Sequence, residues 1–294
     1  ANDPASLPGL SDMMSHLLTE GTEARTSRQL AEEVERIGAT LNVGSGSDFT
    51  TVAGSALSIY SGEILELMAD VTQRSSFPES ELDLARENTK QMLIQQRAQP
   101  PFLASEQMSR VIFGEHPYAR ISPTPDSLDA MTRAEMLRFR QATMVPNNAV
   151  MIIIGDVDRD LTLARVTELF GNWTSRDLPE LNFPPPPNRE ARATYLIDRP
   201  GSAQSNIVIA NLGITRTSAD YFPMLLMHTI LGANASSRLF MNLREEKGYT
   251  YGAYSSLDAR RLLGTFRVSA EVRTGVTGLS LGEFFLELGR MRDE

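Results

Sequence analysis

The stretch "LPELNFPPPPNREA", residues 178–191, constrains this chain more than any other. Four consecutive prolines offer no backbone N–H and hold φ near one value, so neither helix nor sheet can run through them; they favour a stiff, extended spacer. A chain of 294 residues broken at this point is expected to form two domains, residues 1–180 and 191–294, joined by a Pro-rich linker at 181–190.

The two halves echo each other. Shifting the chain by 210 residues pairs Ser27 with Ser237, Arg28 with Arg238, Glu35 with Glu245 and Gly38 with Gly248. It also pairs Thr40 with Thr250, Ser45 with Ser255, Asp48 with Asp258 and Gly54 with Gly264. Each segment reads as a helix closed by glycine, then a glycine-bearing strand. Two similar domains of mixed helix and strand are the economical reading.

Within the first half, "LSDMMSHLLTEG" predicts a helix from near Pro8 to Gly21. "TSRQLAEEVERIG" predicts a second, with Ser27 as N-cap and Leu30, Val34 and Ile37 on one face. "LNVGSGSDFTTVAGSAL" alternates like an interrupted strand; its "GSGSDF" lacks the lysine and following helix of a phosphate loop. Further helices are expected in "SGEILELMADVTQR", in "PESELDLARENTKQMLIQQRAQP", stopped by proline, in "MTRAEMLRFRQATM" and in "LTLARVTELFGNW". "AVMIIIGDV" reads as a buried strand between the last two. The second half is expected to hold strands in "ATYLIDRP" and "QSNIVIANLGI", helices in "DYFPMLLMHTILG" and "SSRLFMNLREEKG", then strands "YTYGAYSSL" and "GTFRVSAEV". The methionines of "SDMMSHL" and "PMLLMH" read as core filling.

Composition excludes several classes. A net charge of −9 with no long basic block argues against nucleic acid or anionic lipid as partner. No apolar run approaches the roughly 18–20 residues of a membrane span. The absence of cysteine removes disulfides, thiolate metal sites and a thiol nucleophile, and suits an oxidising compartment. The only histidines are His16, His116 and His228, too scattered to form one zinc site. His228, within "LLMHTIL", reads as a satisfied core histidine. The chain opens at "ANDPASLPGL" without an apolar signal segment and stops at "RMRDE" within a helical pattern, so both ends read as trimmed.

"HLLTEGT", "SRQLAEEVERIGATLNVGSGSDFTTV", "FPESELDLARE" and "FGEHPYAR" together resemble the M16 (pitrilysin-type) peptidases. "SSRLFMNLREEKGYTYGAYSS" is similar to the C-terminal homologous domain of the short, two-domain members. The resemblance implies an α+β fold of two homologous α/β-sandwich domains, mostly antiparallel sheet flanked by helices, the second truncated here. It makes His116 a structural loop residue.

Active members carry H-x-x-E-H on the first helix, where two histidines one turn apart grip Zn²⁺ and the glutamate acts on bound water. A glutamate from a later helix completes the set. Here the motif reads "DMMSH": Asp12 replaces the first histidine, Ser15 the glutamate, and His16 alone survives. Met92 falls at the third ligand's place. A serine hydroxyl is no base near neutral pH, and methionine is a poor zinc ligand. Asp12, His16 and Glu20 recur at i, i+4 and i+8, which leaves open a rearranged metal site.

The second half departs less. Active complexes of the family use an arginine and a tyrosine seven residues apart, and "LREEKGYTY" supplies Arg244 and Tyr251 at that spacing. The resemblance thus implies a catalytically silent subunit, inactive alone and without a cofactor of its own. It would pair as a heterodimer with a zinc-bearing M16 subunit and close around an unfolded peptide, with Arg244 and Tyr251 completing the partner's site. The expected compartment is the bacterial periplasm. The alternatives are a scaffold with no part in proteolysis and a weak metallopeptidase with a rearranged site.

Overall fold

A computed structural model describes residues 3–178 and 180–294; Ala1, Asn2 and Pro179, the last within the Pro-rich stretch, lie outside the described residues. The chain folds into two compact units. The first holds residues up to 94 together with 122–183; the second holds 95–121 and 184–294. One division therefore falls beside Pro184, and a helical excursion between the first unit's segments belongs to the second.

The first unit begins with α1 (Leu10–Leu17). Leu10, Met13, Met14 and Leu17 recur at helical spacing and are all buried, against Phe77, Leu82, Leu128, Met131 and Met136. No side chain adjacent to the helix caps it. The Asp3 carboxylate does so from upstream, accepting the backbone N–H of Gly9 at 2.8 Å and of Ser11 at 3.0 Å. The helix ends at Leu17, not at Gly21; Gly21 follows a further turn, at φ 138°.

Next come α2 (Ser27–Arg36), β1 (Thr40–Ser45) and β2 (Thr50–Ser55). The N-cap of α2 is Thr26 rather than Ser27: Thr26 and Gln29 form a reciprocal capping box, while the Ser27 hydroxyl donates to Glu20. Gly38, at φ 59°, closes the helix: its N–H bonds the Glu35 carbonyl and that of Ala39 the Val34 carbonyl. β1 and β2 pair antiparallel, from Thr40 opposite Ser55 to Ser45 opposite Thr50. Leu30 and Ile37 then meet Ile64, Leu67 and Val71 of α3 (Ser61–Arg74) in a second core cluster. The first unit also contains most of α4 (Glu79–Arg97).

Pro100 does more than stop α4. It begins α5 (Pro100–Phe113), a helix absent from the sequence expectation, because proline is well placed at a helix's first position. The first unit continues with α6 (Pro125–Ala130), α7 (Arg133–Thr143) and α8 (Arg159–Phe170).

"AVMIIIGDV" is not a buried strand. Ile152 and Ile154 are 78% and 91% exposed, and the sheets among the described residues are β1–β2 and one further sheet to which this segment does not belong. "ATYLIDRP" is likewise unpaired, with Leu196 exposed. Apolar runs announce a strand that needs a neighbour, but do not supply one.

In the second unit, β3 (Gln204–Gly213), β4 (Thr250–Asp258) and β5 (Gly264–Arg273) form an antiparallel sheet in the order β3-β5-β4. Between β3 and β4 lie α9 (Tyr221–Gly232), the short α10 (Arg238–Phe240) and a π-helical turn at Met241–Glu246. The unit ends with α11 (Thr277–Asp293). Its core joins Ile207, Leu231, Leu239, Leu243, Val268, Val272 and Phe284. Gly248, the counterpart of Gly38, also sits left-handed, at φ 62°.

Candidate functional site

Of the residues on α1, Asp12 and His16 face outward, while Ser15 is buried. The Ser15 hydroxyl donates to the Ser11 carbonyl at 2.8 Å, so it is turned back into its own helix. Loss of solvation, then the charge of Asp3, push the Asp12 carboxyl above its ordinary range, with His16 acting the other way. Glu20 lies beyond the end of α1 and accepts the Ser27 hydroxyl at 2.5 Å, which removes the i, i+4, i+8 face. Met92 is on α4, about half exposed. One imidazole, one carboxylate, a hydroxyl already donated to its own helix and a thioether form a poor donor set for zinc. No group of three His, Asp or Glu side chains among the described residues is placed to share a metal ion.

The segment that follows α1 enters an ionic cluster that sequence reading does not single out. Asp70 of α3 is fully buried and accepts from Thr22 Oγ1 and Arg25 Nη1 at 2.8 Å and from Arg74 Nε at 2.7 Å. Burial alone would raise its pKa; the bonds from Arg74, Thr22 and Arg25 outweigh it and hold the carboxyl below the usual range. Arg25 also reaches Glu33 and Glu66, and Glu66 meets Arg165 of α8. The cluster ties the α1–α2 connection to α3 and α8. Its one legible signal is the i, i+4 spacing of Asp70 and Arg74.

In the second unit, Arg244 occupies the π turn and Tyr251 the start of β4. The glycine-closed end between them is unusually wide: Gly248 N–H bonds the Arg244 carbonyl and Tyr249 N–H the Leu243 carbonyl. Both bonds span one residue more than their equivalents at Gly38. π turns of this kind recur at functional sites.

β4 carries a bulge at Tyr251–Gly252. Thr250 pairs with Val272 and Ala253 with Ala270, so two residues of β4 face one of β5. The Thr250 hydroxyl stabilises the bulge, accepting Gly252 N–H at 3.1 Å and donating to the Glu271 carbonyl at 2.6 Å. Tyr251 is thereby thrown outward and is 88% exposed.

The Arg244 guanidinium lies over the Phe240 ring, 4.8 Å from its centroid, and its nearest carboxylate is Glu245 at 3.6 Å. Arg244 and Tyr251 are not bonded to each other; each presents donors to solvent. Phe240 is missed by a motif reading, although its i, i+4 spacing to Arg244 is the available signal.

The remaining histidines are structural. His116 is buried, and its Nδ1 accepts the Tyr118 N–H at 3.2 Å, capping a 3-10 turn at Pro117–Ala119. Desolvation, with nearby Arg260, lowers its pKa. His228 Nδ1 bonds the Ser255 hydroxyl at 2.6 Å, and desolvation lowers its pKa too.

The comparisons with known proteins agree with this architecture. A family model described as the peptidase M16 inactive domain matches residues 130–294, and one described as insulinase (peptidase family M16) matches residues 1–126. The chain belongs to the M16 peptidase family. An uncharacterized zinc protease of Mycobacterium leprae is 26% identical over 279 residues, covering 93% of this chain and 62% of its own length. One from Bacillus subtilis is 22% identical, with 86% and 61% covered. The chain thus spans under two thirds of the length of both. Among solved structures, an M16 inactive domain from Pseudomonas fluorescens matches with a TM-score of 0.81 and 25% identity, over 97% of this chain and 70% of that one. A Helicobacter pylori protease matches with a TM-score of 0.86 and 18% identity, over 98% and 70%, a likeness of fold. The M16 fold accounts for the mixed helix-and-sheet units and their antiparallel strands.

Proposed function

We propose that this chain is the non-catalytic member of a two-subunit M16 peptidase, paired with a separate zinc-bearing M16 subunit and contributing Arg244 and Tyr251 to contacts on an unfolded peptide. The observation that carries this reading is Ser15. At the position of the family's general base stands a buried hydroxyl already donated to the Ser11 carbonyl. On this reading the chain binds no zinc of its own.

Arg244 supplies fixed positive charge and several N–H donors; Tyr251 supplies a phenolic O–H. Both suit a peptide carbonyl and the oxyanion that develops from it. The reading places the pair in the periplasm, with which the lack of cysteine agrees.

The test is reconstitution. The purified chain alone should not cleave an unstructured peptide, and adding the zinc subunit that co-purifies with it should restore cleavage. Arg244→Ala should lower kcat about a hundredfold, the scale of losing one oxyanion donor, while assembly by size-exclusion chromatography is unchanged. Unchanged turnover would remove the role assigned to Arg244. Chelator-sensitive cleavage by the chain alone, with stoichiometric zinc by elemental analysis, would instead support the rearranged metallopeptidase.

A scaffold is the second reading, favoured by the exposed apolar residues Phe222, Leu226 and Ile230 along α9. It predicts a stable complex whose peptide turnover ignores both Arg244 and Tyr251.

A further inference from the structure

We infer that Phe240 is a positioning residue for Arg244: its ring holds the guanidinium by one face, leaving the N–H edges free for a peptide carbonyl. The inference rests on the reading of Arg244 given above and extends it to the side chain that orients it.

Two observations carry it. The first is the contrast with Arg238, six residues earlier. Arg238 donates through Nε to buried Glu287 at 3.0 Å, so a carboxylate both holds it and occupies a donor. The Arg244 guanidinium makes no hydrogen bond to the protein; its contacts are the Phe240 ring at 4.8 Å and the Glu245 carboxylate at 3.6 Å. A π face attracts the cation without using an N–H, so orientation is gained while Nε faces Glu245 and both Nη groups stay unbonded.

The second is that the platform is itself fixed. Phe240 is almost fully buried, and Tyr254 of β4 packs against it with ring centroids 5.7 Å apart at 50°. The bulge at Gly252 lies between Tyr251 and Tyr254 in sequence, so the strand that presents Tyr251 also supplies the ring behind Phe240. Arg244 and Tyr251 are linked through one packed unit, Arg244–Phe240–Tyr254, without touching.

The test joins a spectroscopic readout with a kinetic one. In the chain labelled with ¹⁵N-arginine, the Arg244 Nε–Hε signal, assigned by its loss in Arg244→Lys, should be displaced upfield by the Phe240 ring current. Phe240→Leu should return it toward the position of an exposed arginine, and Phe240→Tyr should keep it displaced. Phe240→Met, which fills similar volume without a ring, serves if the leucine variant is poorly folded.

In the reconstituted peptidase, Phe240→Leu should lower kcat about three- to tenfold with little change in KM, the scale of a partly exposed cation–π contact, and Phe240→Tyr should restore it. An Arg244 signal that is not displaced, or does not move in Phe240→Leu and Phe240→Met, overturns the inference. So does a signal that moves while kcat does not, in a complex where Arg244→Ala still lowers kcat about a hundredfold. If Arg244→Ala itself leaves turnover unchanged, the functional reading fails and the positioning role falls with it.

Discussion

Replacing Asp70 with alanine should cost the first unit about 3 kcal/mol at neutral pH, within the range for breaking a buried ion pair. The magnitude follows from what each partner keeps. Asp70 is fully buried and accepts three hydrogen bonds, two from guanidinium groups. Arg25 retains Glu33 and Glu66, and Arg74 is exposed enough to return to water, so neither cation is stranded. The loss therefore stays at the lower end of that range rather than the upper, about a 150-fold change in the folding equilibrium.

The pH dependence has a fixed sign. The folded carboxyl titrates below its unfolded value, so its contribution is complete above the unfolded pKa of about 3.9 and is lost as pH falls through the folded pKa. The gap between wild type and Asp70→Ala should be flat at neutral pH and close below about pH 4. Urea denaturation followed by Trp173 fluorescence is the assay: Trp173 is the only tryptophan and follows α8, whose Arg165 reaches the same cluster. A gap below about 1 kcal/mol at pH 7, the usual worth of an exposed pair, would refute the assignment of Asp70 as a buried clamp. A gap that does not narrow in acid would refute it as well.

Two further expectations follow from packing and exposure. A Cβ on Gly232 would stand 2.3 Å from the Ser255 backbone nitrogen, so Gly232→Ala must push α9 off β4 and strain the His228–Ser255 bond. It should destabilise by about 1–3 kcal/mol or more, read as an earlier urea midpoint by circular dichroism, and an unchanged midpoint would mean that the close approach is not real. The exposed run Val150–Ile154 is an unpaired apolar segment of the kind that recruits other strands, so Ile152→Lys should reduce concentration-dependent light scattering of the 294-residue chain without shifting its unfolding midpoint; equal scattering would exonerate the segment.

What the sequence discloses here depends on whether its cause is local. The buried face of α1, the closure of α2 at Gly38 and the glycine after the second-half helix are set by a few adjacent residues, and they stand where the spacing puts them. The cap of α2 misses by one residue because Thr26 and Ser27 are both competent, and Gln29 decides between them. α5 goes unnoticed because its two prolines read as a stop, although the first of them is a favourable helix start. The segment at 150–154 is misjudged for the opposite reason: hydrophobicity is local, but burial requires a neighbour elsewhere in the chain.

The same division runs through the candidate site. On the proposed reading, the absence of a zinc-binding set is a matter of residue identity, carried by Asp12, Ser15 and Met92. How Arg244 and Tyr251 are presented is a matter of conformation. The spacing of seven residues survives, yet what turns Tyr251 outward is an extra residue in β4 stabilised by the Thr250 hydroxyl. On that reading, what steadies Arg244 is a ring one helical turn before it, braced by Tyr254 of β4, the strand that carries Tyr251. A motif fixes which groups are available; the π turn and the bulge fix where their donors face. On the proposed reading, a substitution in that scaffold, at Phe240 or Thr250, should therefore silence the pair while leaving the motif intact.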